Sequence, residues 1–310
     1  MKIAFFTEGN AYGQVPRNFP NMRTDMAWIC ALDAIRVPYM KAAEIDDTFD
    51  LGICIIPKEL GRGHKNWAME DGDIAIIKTK CKKVVAMQEG PHWYFQDYKL
   101  DKQIRFFNIL MEMDGLLVHN ELDKTYFEGL TNKKCTVMKT LMIEDLISDI
   151  PNVERSGVMI GGNFCSWYGG FDSYIVAQQF GTEISVPSMG RKIDGEEQMQ
   201  NLSHMPYMNW TDWITELSKR KYGVHLMRTH AAGTFALNCA YLGIPCIGYK
   251  GLDTQMICHP DCTIEVGDLV KAKQIAEKLR IDEEFYLYCS NTAIEKYKEH
   301  YHEDNFKIQI

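Results

Sequence analysis

The stretch THAAGTFALNCAYLGIPCIGY, Thr229 to Tyr249, sets a small-residue loop ahead of a short helical pattern and a Gly-Ile-Pro turn into an apolar strand. A helix that opens from such a loop leaves its first N–H groups without intrahelical partners, and those groups attract anions, phosphate above all. Gly233 lets a ligand approach the backbone, and Thr234 adds a hydroxyl beside the free amides. Arg228, closing the apolar run YGVHLMR, offers a guanidinium that matches phosphate oxygens two at a time. A second loop, GGNFCSWYGG from Gly161 to Gly170, carries four glycines with Asn163 and Ser166, so its amides can also face a charged group. Its spacing is not G-x-G-x-x-G and no acidic residue closes the next strand, which disfavours a nicotinamide or flavin cofactor. Two phosphate-suited loops at one edge of one sheet fit a nucleoside diphosphate.

These loops need strands and helices to hold them, and the chain supplies both in alternation. Apolar runs of strand length (KIAFF, DLGICIIP, KKVVAMQ, DGLLVHN, GVMIGG, EISVPS, YGVHLMR, PCIGY) alternate with amphipathic stretches such as RTDMAWICALDAI, DKQIRFFNILMEM and NWTDWITELSKR. Continuous apolar strands separated by helices imply parallel sheets covered on both faces, the doubly wound α/β architecture. The strand, glycine loop and helix opening of KIAFFTEGNAYGQVPRN recur in VMIGGNFCSWYGGFDSY, so the pattern restarts. The polar PNVERSG segment reads as a linker. We therefore expect one domain over 1–151 and a second over 152–289, facing each other across a cleft, with a C-terminal helix of about 290–310 packing back on the first.

With 310 residues, 46% of them hydrophobic, the chain can bury two cores, and a formal charge of −8 excludes a protein that coats nucleic acid non-specifically. A local basic groove is still allowed, and KTKCKK, Lys78 to Lys83, is the most basic short run. The apolar part of MKIAFFTEGN is too short for a signal peptide, and no run reaches the ~18 apolar residues of a membrane helix. Ten cysteines without a framework, several inside apolar runs, fit a reducing compartment. A soluble, cytoplasmic protein is expected. CHPDC, Cys258 to Cys262, lacks a second ligand pair at zinc spacing, so no metal site is expected there.

In order of elements the chain resembles the GT-B glycosyltransferases, two Rossmann-like doubly wound domains. The resemblance is carried by MPYMNWTDWITELSKRKYGVHLMRTHAAGTFALNCAYLGIPCIGY, which looks like that family's donor-binding half, with its helix, strand, small polar loop and G-x-P-x-I strand. MKIAFFTEGN, FDLGICIIP, KKVVAMQEG and VMIGGNFCSW are similar to segments of the T-even phage DNA beta-glucosyltransferases. The resemblance implies that Gly162, Asn163 and Ser166 lie near a donor diphosphate, with Arg228, Gly233 and Thr234 closing on it. The family's ribose-binding glutamate corresponds here to Asn238, which keeps hydrogen bonding but loses the charge.

Sugar transfer needs a base for the attacking hydroxyl and positive or N–H groups for the leaving diphosphate. Glu89, at the end of the apolar strand in VVAMQEGPHWYFQDY, is the first candidate for the base and corresponds to the phage enzymes' catalytic aspartate; a carboxylate there could instead cap the turn. His92 and Asp25 are the alternatives, the latter also suited to a helix's first turn. Glu8, Arg17 and Arg23 in the mixed-charge first loop, with Trp93 for ring stacking, are expected to contact the acceptor. Trp210 with Trp213, at i and i+3, and His225 read as core. The expected activity is metal-independent transfer from a nucleotide sugar, a UDP-sugar by preference, to a hydroxyl. A 5-hydroxymethylated pyrimidine in phage-type DNA is favoured over a cell-surface glycan or lipid-linked saccharide. A non-catalytic nucleotide-sugar-binding module and a sugar-phosphate epimerase of the same architecture, which would need only a nucleotide sugar, are the competing classes.

Overall fold

The computed structural model describes residues 1–56, 69, 72–88, 92–150, 153–165, 167–187 and 192–306, with Gln88, Trp93 and Tyr94 described in backbone only. The chain forms two compact units, one from Met1–Phe19 and Asp25–Lys139, the other from Pro20–Thr24 and Thr140–Phe306.

The first unit is a six-stranded parallel sheet of β1 (Ile3–Thr7), β2 (Ile35–Pro38), β3 (Phe49–Ile56), β4 (Cys81–Gln88), β5 (Gly115–Val118) and β6 (Cys135–Val137), in the order β2-β1-β3-β4-β5-β6. Its helices are α1 (Thr24–Ala31), α2 (Asp73–Lys80), α3 (His92–Gln96), α4 (Leu100–Glu112) and α5 (Glu121–Thr131). Every residue of β1 and β5 is buried, as a sheet covered on both faces requires. Helix α4 turns Phe106, Ile109 and Leu110 inward, and α5 begins where the Asn120 side chain accepts from the Asp123 amide.

The second unit repeats the plan with β7 (Val158–Ile160), β8 (Ile184–Pro187), β9 (Leu202–Met205), β10 (Tyr222–His225), β11 (Cys246–Tyr249) and β12 (Thr263–Ile264). Its helices are α6 (Gly170–Ala177), α7 (Trp210–Ser218), α8 (Thr234–Tyr241), α9 (Asp253–Cys258), α10 (Leu269–Ile281) and α11 (Glu283–His300). The strand order is β12-β11-β10-β7-β8-β9, so the chain winds outward from β7 in one direction and from β10 in the other. Alternate residues of β7 serve opposite faces: Val158 and Ile160 join one apolar cluster, Met159 the other.

Two boundaries differ from the sequence-based expectation. The second unit begins at Thr140, because Thr140, Leu141, Met142 and Ile143 are buried, and the polar 153–156 segment that resembles a linker falls inside that unit. The last long helix, α11, packs on α8, α9 and α10, where Ser290 donates to the Gly243 carbonyl and Tyr297 to Glu144. Its buried stripe of Tyr286, Cys289, Ala293 and Tyr297 belongs to the second unit rather than the first.

Candidate functional site

In the second unit, β7 and β10 are parallel neighbours, with Tyr222 to Val224 in register with Val158 to Ile160. The loop after β7 and the loop after β10 thus leave the same edge of the sheet at the point where the winding reverses. In open α/β sheets that crevice is where ligands bind.

Both loops end at helices capped by glycine in the left-handed region. Gly169 (φ 62°) precedes α6, Gly233 (φ 69°) precedes α8, and neither helix has a side-chain cap. A Cβ on Gly169 would lie 2.0 Å from the Leu226 carbonyl oxygen, and one on Gly233 would lie 2.1 Å from Thr254 Oγ1, so only glycine fits either place. The loops are tied to one another. Ser173 Oγ accepts from the Leu226 amide (2.9 Å) and donates to the Gly169 carbonyl (2.9 Å), while Thr229 Oγ1 donates to the Trp167 carbonyl (2.9 Å).

The expected donor residues come together here. Gly162 is buried, and Asn163, 1% exposed, accepts from the Cys165 amide (3.0 Å) while its Nδ2 has no partner. Arg228 is exposed and reaches Asp172 Oδ2 at 3.4 Å; Tyr249 donates to the same oxygen at 3.3 Å. Burial and that carboxylate raise the Tyr249 hydroxyl above its ordinary pKa. Thr234 stands exposed at the first position of α8, and Asn238, one turn on, is buried. The Asn238 amide orientation that satisfies both partners accepts from Trp213 Nε1 (3.3 Å) and donates to the Thr234 carbonyl (3.2 Å). His225, at the end of β10, lies edge-on to Phe235, and burial lowers its pKa to about 4, so it is neutral at pH 7. Ser166 lies outside the described residues.

Beside α8 a cavity of about 150 Å³ opens within the second unit, its apolar walls including Pro187, Tyr207, Trp210, Trp213 and Phe235. Arg23, Thr24, Thr140, Thr234 and Asn238 are its polar lining. Arg23, expected at the acceptor, donates to the Met208 carbonyl (3.0 Å) and lies 5.7 Å from the Tyr207 ring centre. The i, i+3 spacing of Trp210 and Trp213 signals one helix face; that this face meets a cavity rather than solid core was not readable from it.

The first unit holds the remaining candidates. Glu8 follows β1 and is exposed, Arg17 is exposed in the long loop, and Asp25, in the first turn of α1, has its pKa raised by burial. Glu89 lies outside the described residues, and Trp93 falls in α3. His92 is different. Its Nδ1 (2.7 Å) and its backbone N–H (3.0 Å) both meet Asp123 Oδ1, and its ring stacks on Tyr126 with centres 4.6 Å apart. Asp123 is 1% exposed and takes a further bond from Asn120 Nδ2 (2.9 Å); burial raises its pKa, opposed by the bonds from His92. No local pattern in the sequence pairs Asp123 with His92, because the two are 31 residues apart.

No protein-family model and no curated protein sequence matches this chain. Solved structures do share its fold. Sucrose-phosphate synthase from Thermosynechococcus elongatus matches with a TM-score of 0.66 at 10% identity, over 98% of this chain and 96% of that one. The T4 alpha-glucosyltransferase, solved with UDP-glucose and DNA containing an abasic site, matches with a TM-score of 0.59 at 13% identity, over 98% and 96%. S. aureus TarM, solved with UDP, gives 0.60 at 10% identity over 82% of this chain and 53% of that one, so this chain spans about half its length. The two Rossmann-like units have the GT-B glycosyltransferase fold. Among the described residues no helix is long and apolar enough to cross a membrane, and no group of His, Cys, Asp and Glu side chains is arranged to hold a metal ion.

Proposed function

We propose that the protein is a glycosyltransferase that moves a sugar from a nucleoside diphosphate, UDP by preference, to an acceptor hydroxyl. The observation that carries this reading is the paired glycine loops at the winding reversal of the second unit, which open beside an aromatic-walled cavity. The diphosphate sits on the uncapped amides of α6 and α8 with Arg228 and Asn163 Nδ2, and the nucleoside enters the cavity beside Asn238. In the transfer, the acceptor oxygen forms the new bond to the anomeric carbon, the bond from that carbon to the β-phosphate oxygen breaks, and the acceptor proton passes to a base. Arg228 and the helix amides stabilise the departing diphosphate without a metal ion.

The first unit supplies the acceptor side. His92 is held in one orientation by Asp123, which leaves Nε2 for proton transfer, and Glu89 competes for the same role; Asp25 is the third candidate. Glu8, Arg17, Arg23 and Trp93 are assigned to acceptor contacts. The favoured acceptor is a 5-hydroxymethylated pyrimidine in DNA, supported by the fold shared with the T4 alpha-glucosyltransferase over nearly both whole chains; a cell-surface glycan or lipid-linked saccharide is the alternative. Incubation with UDP-sugars and either hydroxymethylcytosine DNA or a glycan panel, read as mass gained by the acceptor, tests the proposal. Transfer to neither, with UDP bound, would select a binding module without turnover, the reading favoured by Asn238 hydrogen-bonding within its own helix surroundings. Conversion of the donor without an acceptor would select an epimerase.

A further inference from the structure

A carboxylate stands where the phosphate loops call for an anion's partners. Asp172 Oδ2 lies 3.4 Å from Arg228 Nη2 and accepts from the Tyr249 hydroxyl at 3.3 Å. The three residues belong to three elements: Arg228 follows β10, Tyr249 ends β11, and Asp172 is the third residue of α6. They grade from core to surface, with Tyr249 buried, the Asp172 side chain 24% exposed and the Arg228 side chain 63% exposed. An acidic residue in a helix's first turn is usually explained by its attraction to the free N–H groups there. Here no side chain caps α6, and the Asp172 carboxylate is turned to Arg228 and Tyr249 instead. The first N–H of the helix to find a backbone acceptor is that of Ser173, on the Gly169 carbonyl, which leaves the Asp172 amide among the open ones. A diphosphate received on those amides therefore meets a negative charge on one of the residues that offers them.

Resting on the donor-site reading above, we infer that Asp172 is a positioning residue that competes with the diphosphate for Arg228 and takes the arginine back as UDP leaves. An ion pair as exposed as this one is weak. A diphosphate, which offers the guanidinium two oxygens at once, can therefore draw Arg228 away. The carboxylate is not left bare by that exchange, because it keeps the hydrogen bond from Tyr249. In the transfer, the bond from the anomeric carbon to the β-phosphate oxygen breaks and its electron pair stays on that oxygen. The UDP so formed carries more charge than the donor did and lies beside a like charge, which disfavours its stay. Arg228 then has a second partner within reach, so it can release the product stepwise rather than lose an anion to water. Where product departure limits turnover, a residue of this kind sets the rate without touching the reacting atoms.

The test is calorimetric binding and stopped-flow release of UDP, with uridine as the phosphate-free control, on the intact protein and its variants. Asp172→Asn keeps the side chain's shape and can still accept from Tyr249, so it should fold; it should bind UDP about fivefold more tightly, chiefly through slower release. Uridine affinity should not change. Asp172→Glu, which retains the charge, should lie nearer the wild type than Asp172→Asn. Tyr249→Phe should act in the opposite direction and weaken UDP, because the carboxylate then has no second bond when Arg228 departs. In an Arg228→Ala background, Asp172→Asn should change UDP affinity by less than about twofold, since there is no arginine left to exchange. If Asp172→Asn leaves UDP binding unchanged or weakens it while Arg228→Ala still lowers affinity, the inference is overturned and the donor site stands. An effect of Asp172→Asn equally large without Arg228 also overturns it, reducing Asp172 to simple repulsion. If the wild type does not bind UDP, the donor reading falls and the inference with it.

Discussion

Replacing Gly169 by alanine separates two costs that the structure holds at one residue. Its φ of 62° costs a side-chain-bearing residue roughly 1–2 kcal/mol. The new methyl would also stand 2.0 Å from the Leu226 carbonyl oxygen, a backbone atom that cannot swing aside. Overpacking of this kind adds about 1–3 kcal/mol, for a total of roughly 2–5 kcal/mol. Gly181 isolates the first cost, because it has nearly the same φ, 63°, with nothing within 4 Å of an added Cβ. Urea unfolding of the two alanine variants should therefore show Gly181→Ala losing about 1–2 kcal/mol and Gly169→Ala clearly more. Because relief of the clash must push the β7 and β10 loops apart, Gly169→Ala should also weaken UDP binding, and Gly181→Ala should not. Equal stabilities within about 0.5 kcal/mol, with UDP affinity intact, would refute the close contact of the two loops.

Arg228→Ala should weaken UDP and its sugars by about 1.5–3 kcal/mol, the scale of a lost charge-assisted hydrogen bond, and unchanged affinity in titration calorimetry removes Arg228 from the phosphate site. If His92 takes the acceptor proton, His92→Gln should lower transfer by ~10²- to 10⁴-fold with UDP affinity intact, whereas Glu89→Gln should do so if that carboxylate is the base. Asp123→Asn should then depress transfer and alter the pH–rate profile only in the first case; an unaltered profile would reduce Asp123 to a clamp joining α3 and α5. Burial lowers His119, His225 and His259 to about 4 from the ordinary 6.5. The unfolded chain takes up their protons first, so stability should fall as pH drops from 6.5 toward 4, by about 1.4 kcal/mol per pH unit per histidine. Asp25 and Asp123, raised by burial, oppose this part of the slope. Urea titrations at pH 7 and 5 should show the fall, and His225→Phe should flatten it; an unchanged slope in that variant would deny the buried neutral state.

The parallel sheets were legible because strands buried on both faces are written as unbroken apolar runs, IAFFT and CIGY among them. The glycine loops were legible too, since GGNFCSWYGG and THAAGTF announce tight turns ahead of helices. What escaped the sequence depends on contacts between distant segments. Arg23 sits in a loop of mixed charge that says nothing of Met208 or Tyr207, and the burial of Thr140–Ile143, just before the polar linker-like stretch, moved the unit boundary upstream. His92 was visible as a titratable residue, but its orientation is set by Asp123, a residue whose local pattern reads only as a helix's acidic first turn. Asn238 carried a signal through its place in the resemblance, while its hydrogen bond to Trp213 required the packing of α7 beside α8.

Ser173 is a small residue with an unusually large mechanical role. By bonding the Leu226 amide and the Gly169 carbonyl at once, its hydroxyl fastens the two loops into a single plate when the chain folds. The entropy of ordering those loops is then lost at folding rather than at each ligand encounter, and binding free energy that a floppy site would surrender is retained. A substrate meeting such a plate has little to wait for, so association should be set by diffusion and dissociation by the contacts themselves. Ser173→Ala would leave the Thr229–Trp167 bond alone to join the loops, so that part of their ordering would be repeated at each encounter.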